Sequence, residues 1–305
     1  MKTVSLVLVF LLAITLGIFP ESYHPVSENA DIDFVVVSDI HMEGNNPDRF
    51  RDFPKILLDI NGAARKNDAL VMCGDNTMNG QHIEYTFLTL SLKLFSDVRN
   101  NLLVMGNHEI FTEQNGYEKG LKKFLGYGRF IMGEKYEKPY YSREIDGYTF
   151  IVLSTEADKG VTCYISPEQI EWLDETLAKA TESGKPAFVF CHFPIDGTVD
   201  TLWPGGLMGE QSDEVFSVLK KHKNVFFFSG HLHNAVDYSG IRQIDGVTFV
   251  DVPSVLSDHS VGSTPSRGTG YCVEVHDGKV ELRPRNFLSG EWFENLSVTV
   301  EIEHV

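Results

Sequence analysis

Five short apolar runs, each ending on an Asp, Asn or His, constrain this chain more than any other feature. FVVV (34–37) leads into Ser38-Asp39-Ile40-His41, ALVMC (69–73) into Gly74-Asp75-Asn76, and LLVM (102–105) into Gly106-Asn107-His108-Glu109. AFVFC (187–191) leads into His192-Phe193-Pro194, and VFFFS (225–229) into Gly230-His231-Leu232-His233. Runs that are apolar at every position suit strands covered on both faces. YTFIVL (148–153), GVTFVDV (246–252), YCVEV (271–275) and KVELR (279–283) read as further strands, the last two joined by a turn at His276-Asp277-Gly278. Helical spacing occupies 53–67, the stretch from Glu84 to Phe95, and 213–222. The clearest helix opens at SPEQ, where Ser166 is an N-cap, Pro167 fits the first turn and Gln169 completes a capping box; Gly184 supplies the stop. Strands alternating with helices predict an α/β protein.

In open α/β sheets, sites form beyond the carboxyl ends of strands, where these polar residues fall. Residues i and i+2 of an extended segment point the same way, so Asp39 and His41 address one point, as do His231 and His233. A glycine before Asp75, Asn107 and His231 lets the backbone turn sharply and leaves room. Imidazole with carboxylate suits Zn, Mn, Fe or Ni better than Ca or Mg alone. A lone DxH, or one His after a strand, is more often a hydrogen-bonded residue than a ligand. Five such ends in one chain are not readily placed by chance.

The series DIH, GDNTMNG, GNHE, CHFP and GHLH resembles the calcineurin-like metallophosphoesterase superfamily from Asp39 to His233. The resemblance implies a sandwich of two mixed β-sheets flanked by helices. It also implies two divalent or mixed-valence metal ions. Asp39, His41 and His233 are expected to hold the first ion, and Asn107, His192 and His231 the second, with Asp75 bridging through its two oxygens. His108 stands near the substrate, as transition-state stabiliser or proton donor, and Asn107 also faces it. The implied reaction is phosphate-ester hydrolysis by in-line attack of a metal-activated hydroxide. Met78 stands where purple acid phosphatases carry a ligand Tyr, so no purple enzyme is expected. GDNTMNG is not a calcium loop, because Thr86 stands where Glu is needed. It is similar to the GD-x-T-x-x-G pattern of the phosphodiesterase-like branch, which implies diester substrates; monoesters stay open, as does a non-catalytic metal-binding scaffold of the same fold. Glu109 either orients His41 or His108 or is solvated. Phe193 is a packing or pocket residue. Trp203 either lines the pocket mouth or packs its loop, and Arg267 either contacts a substrate phosphate or is a surface arginine. His259 shares the loop of Arg267, whereas His24, His82, His222, His276 and His304 are read as ordinary.

A formal net charge of −17 over 305 residues disfavours nucleic acid as a partner and leaves a small-molecule phosphate ester. Lys2 precedes an uncharged run from Val4 to Phe19. As a helix it spans roughly 24 Å, short of a full bilayer core and suited to a signal peptide. Neither Gly17 nor Ala30 marks a good cleavage site. We therefore expect an extracytoplasmic protein, either secreted or anchored at the membrane by residues 4–19, with 1–30 as leader plus linker and 31–305 as the metallophosphoesterase domain. The four cysteines lack metal-site spacing, and Cys73 and Cys191 read as buried thiols.

Overall fold

The computed structural model describes residues 29–63, 65–111, 116–257, 261–276 and 278–303. The apolar run 4–19, His24, His259, Asp277 and His304 lie outside them. The elements in chain order are β1 (Ile32–Val37), α1 (Pro47–Ile60), β2 (Ala69–Cys73), α2 (His82–Phe95), β3 (Asn100–Val104), α3 (Gly116–Met132), β4 (Tyr141–Ile145), β5 (Tyr148–Val152) and α4 (Pro167–Thr181). They continue with β6 (Ala187–Phe190), α5 (Ser212–Leu219), β7 (Val225–Ser229), β8 (Ile241–Ile244), β9 (Val247–Asp251), β10 (Thr269–His276), β11 (Lys279–Asn286), β12 (Glu291–Trp292) and β13 (Val298–Glu301).

Two mixed sheets result, as expected. One runs β12-β11-β10-β1-β2-β3, with β13 also on β11; the other runs β4-β5-β6-β7-β9-β8. Strands β1, β2 and β3 are parallel, as are β5, β6, β7 and β9. The two parallel sets put all five motif-bearing strand ends at one edge of the sandwich.

The continuous apolar runs follow from burial on both faces. Phe226 and Phe228 enter the core between the sheets, whereas Phe227 enters a second core. There it joins Leu173 and Leu177 of α4 and Val215 and Leu219 of α5. Phe34 of β1 is the keystone between the sheets, edge-on to Phe150 at 4.9 Å and to Phe188 at 4.8 Å. Such pairs add about 0.5–1.5 kcal/mol each beyond area burial.

Several element boundaries differ from expectation. The helix expected over 53–67 is α1, which begins earlier because Asn46 caps it, accepting from the Asp48 amide, with Pro47 in the first turn. Ser166 caps α4 as predicted, but Gln169 forms no reciprocal capping box. Its side chain turns inward, accepting from the Ser154 amide and donating to the Ser154 carbonyl. Helix α3 was not legible in the sequence, because Gly116, Gly120, Gly126 and Gly128 dilute its signal. Gly120 is needed there, since a Cβ would lie 2.7 Å from the Glu109 carbonyl oxygen. Its absence seats α3 against the Asn107–Ile110 turn. The four cysteines are buried free thiols.

Candidate metal centre

The strand ends do not project extended DxH and HxH segments, as the sequence reading supposed. Asp39, His41, Asp75, His231 and His233, five of the seven expected ligands, all have φ between 46° and 73°. A left-handed conformation costs a non-glycine residue roughly 1–3 kcal/mol and persists only where the surroundings enforce it. At Asp39, His41 and Asp75 ladder bonds beyond the strands enforce it: the Asp39, His41 and Met42 amides donate to the Gly74, Asp75 and Asn76 carbonyls; at His231 the amide donates to Asp39 Oδ2. Each left-handed residue bends its side chain over the sheet edge instead of along a sheet face. The three glycines leave the space: a Cβ on Gly74 would stand 2.3 Å from His192 Nδ1, on Gly106 2.2 Å from Asp75 Oδ1, and on Gly230 1.9 Å from Ser38 Oγ.

The bends bring the side chains together. Asp39, His41 and His233 form one group whose ligand atoms lie within 4.8 Å of one another, and Asp75, His192 and His231 form another. His41, Asp75 and His108 form a third that overlaps both. The common atom is Asp75 Oδ2, 3.2 Å from His192 Nε2, 3.9 Å from His41 Nε2 and 3.8 Å from His108 Nε2. Asp75 thus faces both sides through one oxygen rather than two, because Oδ1 is taken by the His108 amide at 2.9 Å.

Carbonyl partners assign the tautomers. His192 Nδ1–H donates to the Cys73 carbonyl and His231 Nε2–H to the Val161 carbonyl. The bare nitrogens, His192 Nε2 and His231 Nδ1, then face each other at 3.1 Å. His41 Nε2 and His233 Nε2 also face each other at 3.1 Å. Lone pairs so close repel unless a cation or proton lies between them. Asn107 Oδ1 is buried with no hydrogen-bond partner, an arrangement that costs about 1–3 kcal/mol unless a cation takes it up. The donor set therefore fits metal ions. With protons alone, burial pulls His192 down, but Asp75 and Asp39 outweigh it and lift it to about 10. Burial and the His192 charge together push His231 down to about 3. Burial would raise Asp39 and Asp75, yet the surrounding histidines hold both well below the usual carboxylate range.

Ser38 and Thr77 support the site although no sequence pattern pointed to a role for them. Ser38 Oγ and the His231 amide both donate to Asp39 Oδ2, leaving Oδ1 for His233 Nε2 at 3.0 Å. Glu109 is fully buried and neither solvated nor turned to a histidine. It accepts from the Thr77 amide and hydroxyl and from the Gly106 amide, clamping two motif loops together. The threonine of GDNTMNG is explained by that clamp. Phe193 is buried, its ring 5.0 Å from that of His231. Trp203 lies on the solvent side, also 5.0 Å from His231. Arg267 is paired with Asp52 of α1, so a role at a substrate phosphate competes with that ion pair.

This constellation of candidate ligands on two mixed sheets has the donor chemistry of a dinuclear metal centre. The chain belongs to the calcineurin-like phosphoesterase family, whose model matches residues 32–235, and is a metal-dependent phosphoester hydrolase. Members use dinuclear metal centres. Its fold is similar to that of a dimetal phosphatase from Danio rerio, with a TM-score of 0.63 and 14% identity over 90% of this chain and 100% of that one. A predicted phosphoesterase from Streptococcus pneumoniae superposes less well, with a TM-score of 0.42 and 12% identity over 88% of this chain and 97% of that one. Vps29 from Entamoeba histolytica gives 0.37 and 11% over 89% and 100%. No curated protein matches the chain in sequence.

Proposed function

We propose that the chain hydrolyses phosphodiesters, and that it acts outside the cytoplasm. The observation that carries the site is the shared position of Asp75 Oδ2 between His192 on one side and His41 and His108 on the other. Asp39, His41 and His233 would hold one ion and Asn107, His192 and His231 the other, with Asp75 common to both. Ions so held would supply Lewis-acid polarisation of a phosphoryl oxygen and a nucleophile at neutral pH. The chain's own residues do the rest. Ser38 and the His231 amide aim Asp39, and the Cys73 and Val161 carbonyls hold His192 and His231 in ligating tautomers. His108 Nδ1–H is committed to the Met78 carbonyl at 2.7 Å, so Nε2 is the ring atom left to face the substrate, and it would pass a proton to the leaving oxygen when the ring carries both protons. The diester preference rests on GDNTMNG, and the location on the apolar run 4–19.

The test is hydrolysis of bis-p-nitrophenyl phosphate and p-nitrophenyl phosphate by the full chain, stripped of metal and resupplied with Mn, Zn, Fe or Ni. Metal-dependent diester cleavage that vanishes in Asp75→Asn is the expected result. Cleavage of the monoester alone would replace the diesterase by a phosphatase. Bound metal without activity toward either ester would leave the metal-binding scaffold reading. N-terminal sequencing of secreted and membrane fractions tests the leader; intact protein confined to the cytosol would overturn export.

A further inference from the structure

Trp203 is 44% exposed, yet its ring sits 5.0 Å from that of His231, a proposed metal ligand. Its loop holds the ring in place. The Trp203 amide donates to Thr201 Oγ1 at 2.9 Å, and the Gly206 amide donates to the Trp203 carbonyl at 3.0 Å. The ring leans on Gly206 so closely that a Cβ there would lie 2.5 Å from it. Holding His231 does not require this tryptophan. His231 is already fixed by the Val161 carbonyl, by His192 and by the buried Phe193 ring. A rigid, backed and half-open indole next to a phosphoryl-binding centre suits stacking against a flat π-system.

We propose that Trp203 is a stacking platform for the substrate, so that the preferred phosphoesters carry a planar aromatic group, aryl or heteroaromatic. This rests on the phosphoesterase reading above. The platform selects by binding and leaves the chemical step to the metal-centre residues.

The test compares phenylphosphonate with methylphosphonate, neither of which has an ester bond to cleave. Each serves as a competitive inhibitor of whichever p-nitrophenyl ester the full-length, metal-loaded chain hydrolyses. The expected result is that the preference for phenylphosphonate falls roughly tenfold in Trp203→Ala. Trp203→Phe should keep most of it; in Trp203→Ala the KM for the p-nitrophenyl ester should rise while kcat changes less, and the melting temperature should stay at the wild-type value. A preference unchanged in Trp203→Ala would overturn the platform, as would equal inhibition by the two phosphonates in the wild type. Equal weakening of both with a fall in kcat would reduce Trp203 to a support for His231, and overturns it too. No hydrolysis of either ester by the wild type would instead sink the phosphoesterase reading, and the platform with it.

Discussion

His108 and Asp75 are joined twice: the His108 amide donates to Asp75 Oδ1 at 2.9 Å, while its ring Nε2 stands 3.8 Å from Asp75 Oδ2. The residue that would move the proton is therefore positioned by the carboxylate that both ions would share. His108→Ala should lower kcat by roughly 10²–10⁴, the usual range for general acid–base catalysis. Metal content, measured by elemental analysis, should remain at the wild-type ratio. Loss of one metal in this variant would make His108 a ligand.

Asn107→Leu separates stability from metal affinity. It removes the unpartnered buried carbonyl at Oδ1, so the metal-free melting temperature should stay equal or rise. The further rise on adding Mn²⁺ should shrink, because that rise reports binding to the folded state. A large fall in the metal-free melt would point to a structural role for Asn107.

Glu109→Ala strips three donors of their acceptor at a fully buried position. Each buried donor left unpaired costs about 1–3 kcal/mol, so a loss of about 3 kcal/mol or more is expected in urea unfolding. Glu109→Gln, which keeps the shape and one acceptor oxygen, should lose less.

Gly106→Ala tests the space kept for the shared carboxylate. The new Cβ would meet both Oδ1 and the amide of Asp75. Stability should fall by about 1–3 kcal/mol, as for overpacking elsewhere. Metal affinity, read by chelator competition, should fall at least about tenfold, as when a ligand's orientation is lost. Unchanged affinity would mean the loop yields without moving Asp75.

A pH effect is expected far from the metal centre. Asp33 and Asp68 share Arg65, and each accepts from the other's amide. Burial, opposed by Arg65 and reinforced by Asp68, lifts the Asp33 carboxyl from 3.8 to about 6. A folded value above the unfolded one gives a contribution present below about pH 4 and lost as pH rises through about 6. Asp33→Asn should therefore raise the melting temperature at pH 8 relative to wild type and change it little at pH 4. Equal shifts at both pH values would refute the assignment.

The strand-end motifs were legible because they are local. An apolar run marks a two-sided strand, and a glycine before a polar residue marks a crowded turn. Features that depend on partners distant in sequence were not legible. Ser38 is held by the Cys73 carbonyl, Glu109 by Thr77, and Arg267 by the Asp52 carboxylate. Gln169 matched a capping-box pattern, but Ser154 competed for its amide and won.

The α/β alternation, the five strand ends and the residue types that can bind metal are readable from the chain alone, because hydrophobic period and side-chain chemistry are properties of short segments. How those residues converge depends on the folded arrangement. The left-handed bends at Asp39, His41 and Asp75 are held by backbone bonds between the first two motif loops, and that at His231 by the Asp39 carboxylate. Asp75 is left one free oxygen because the His108 amide takes the other. A backbone conformation that is unfavourable in isolation exists only when the rest of the fold encloses it, so no local pattern could announce it.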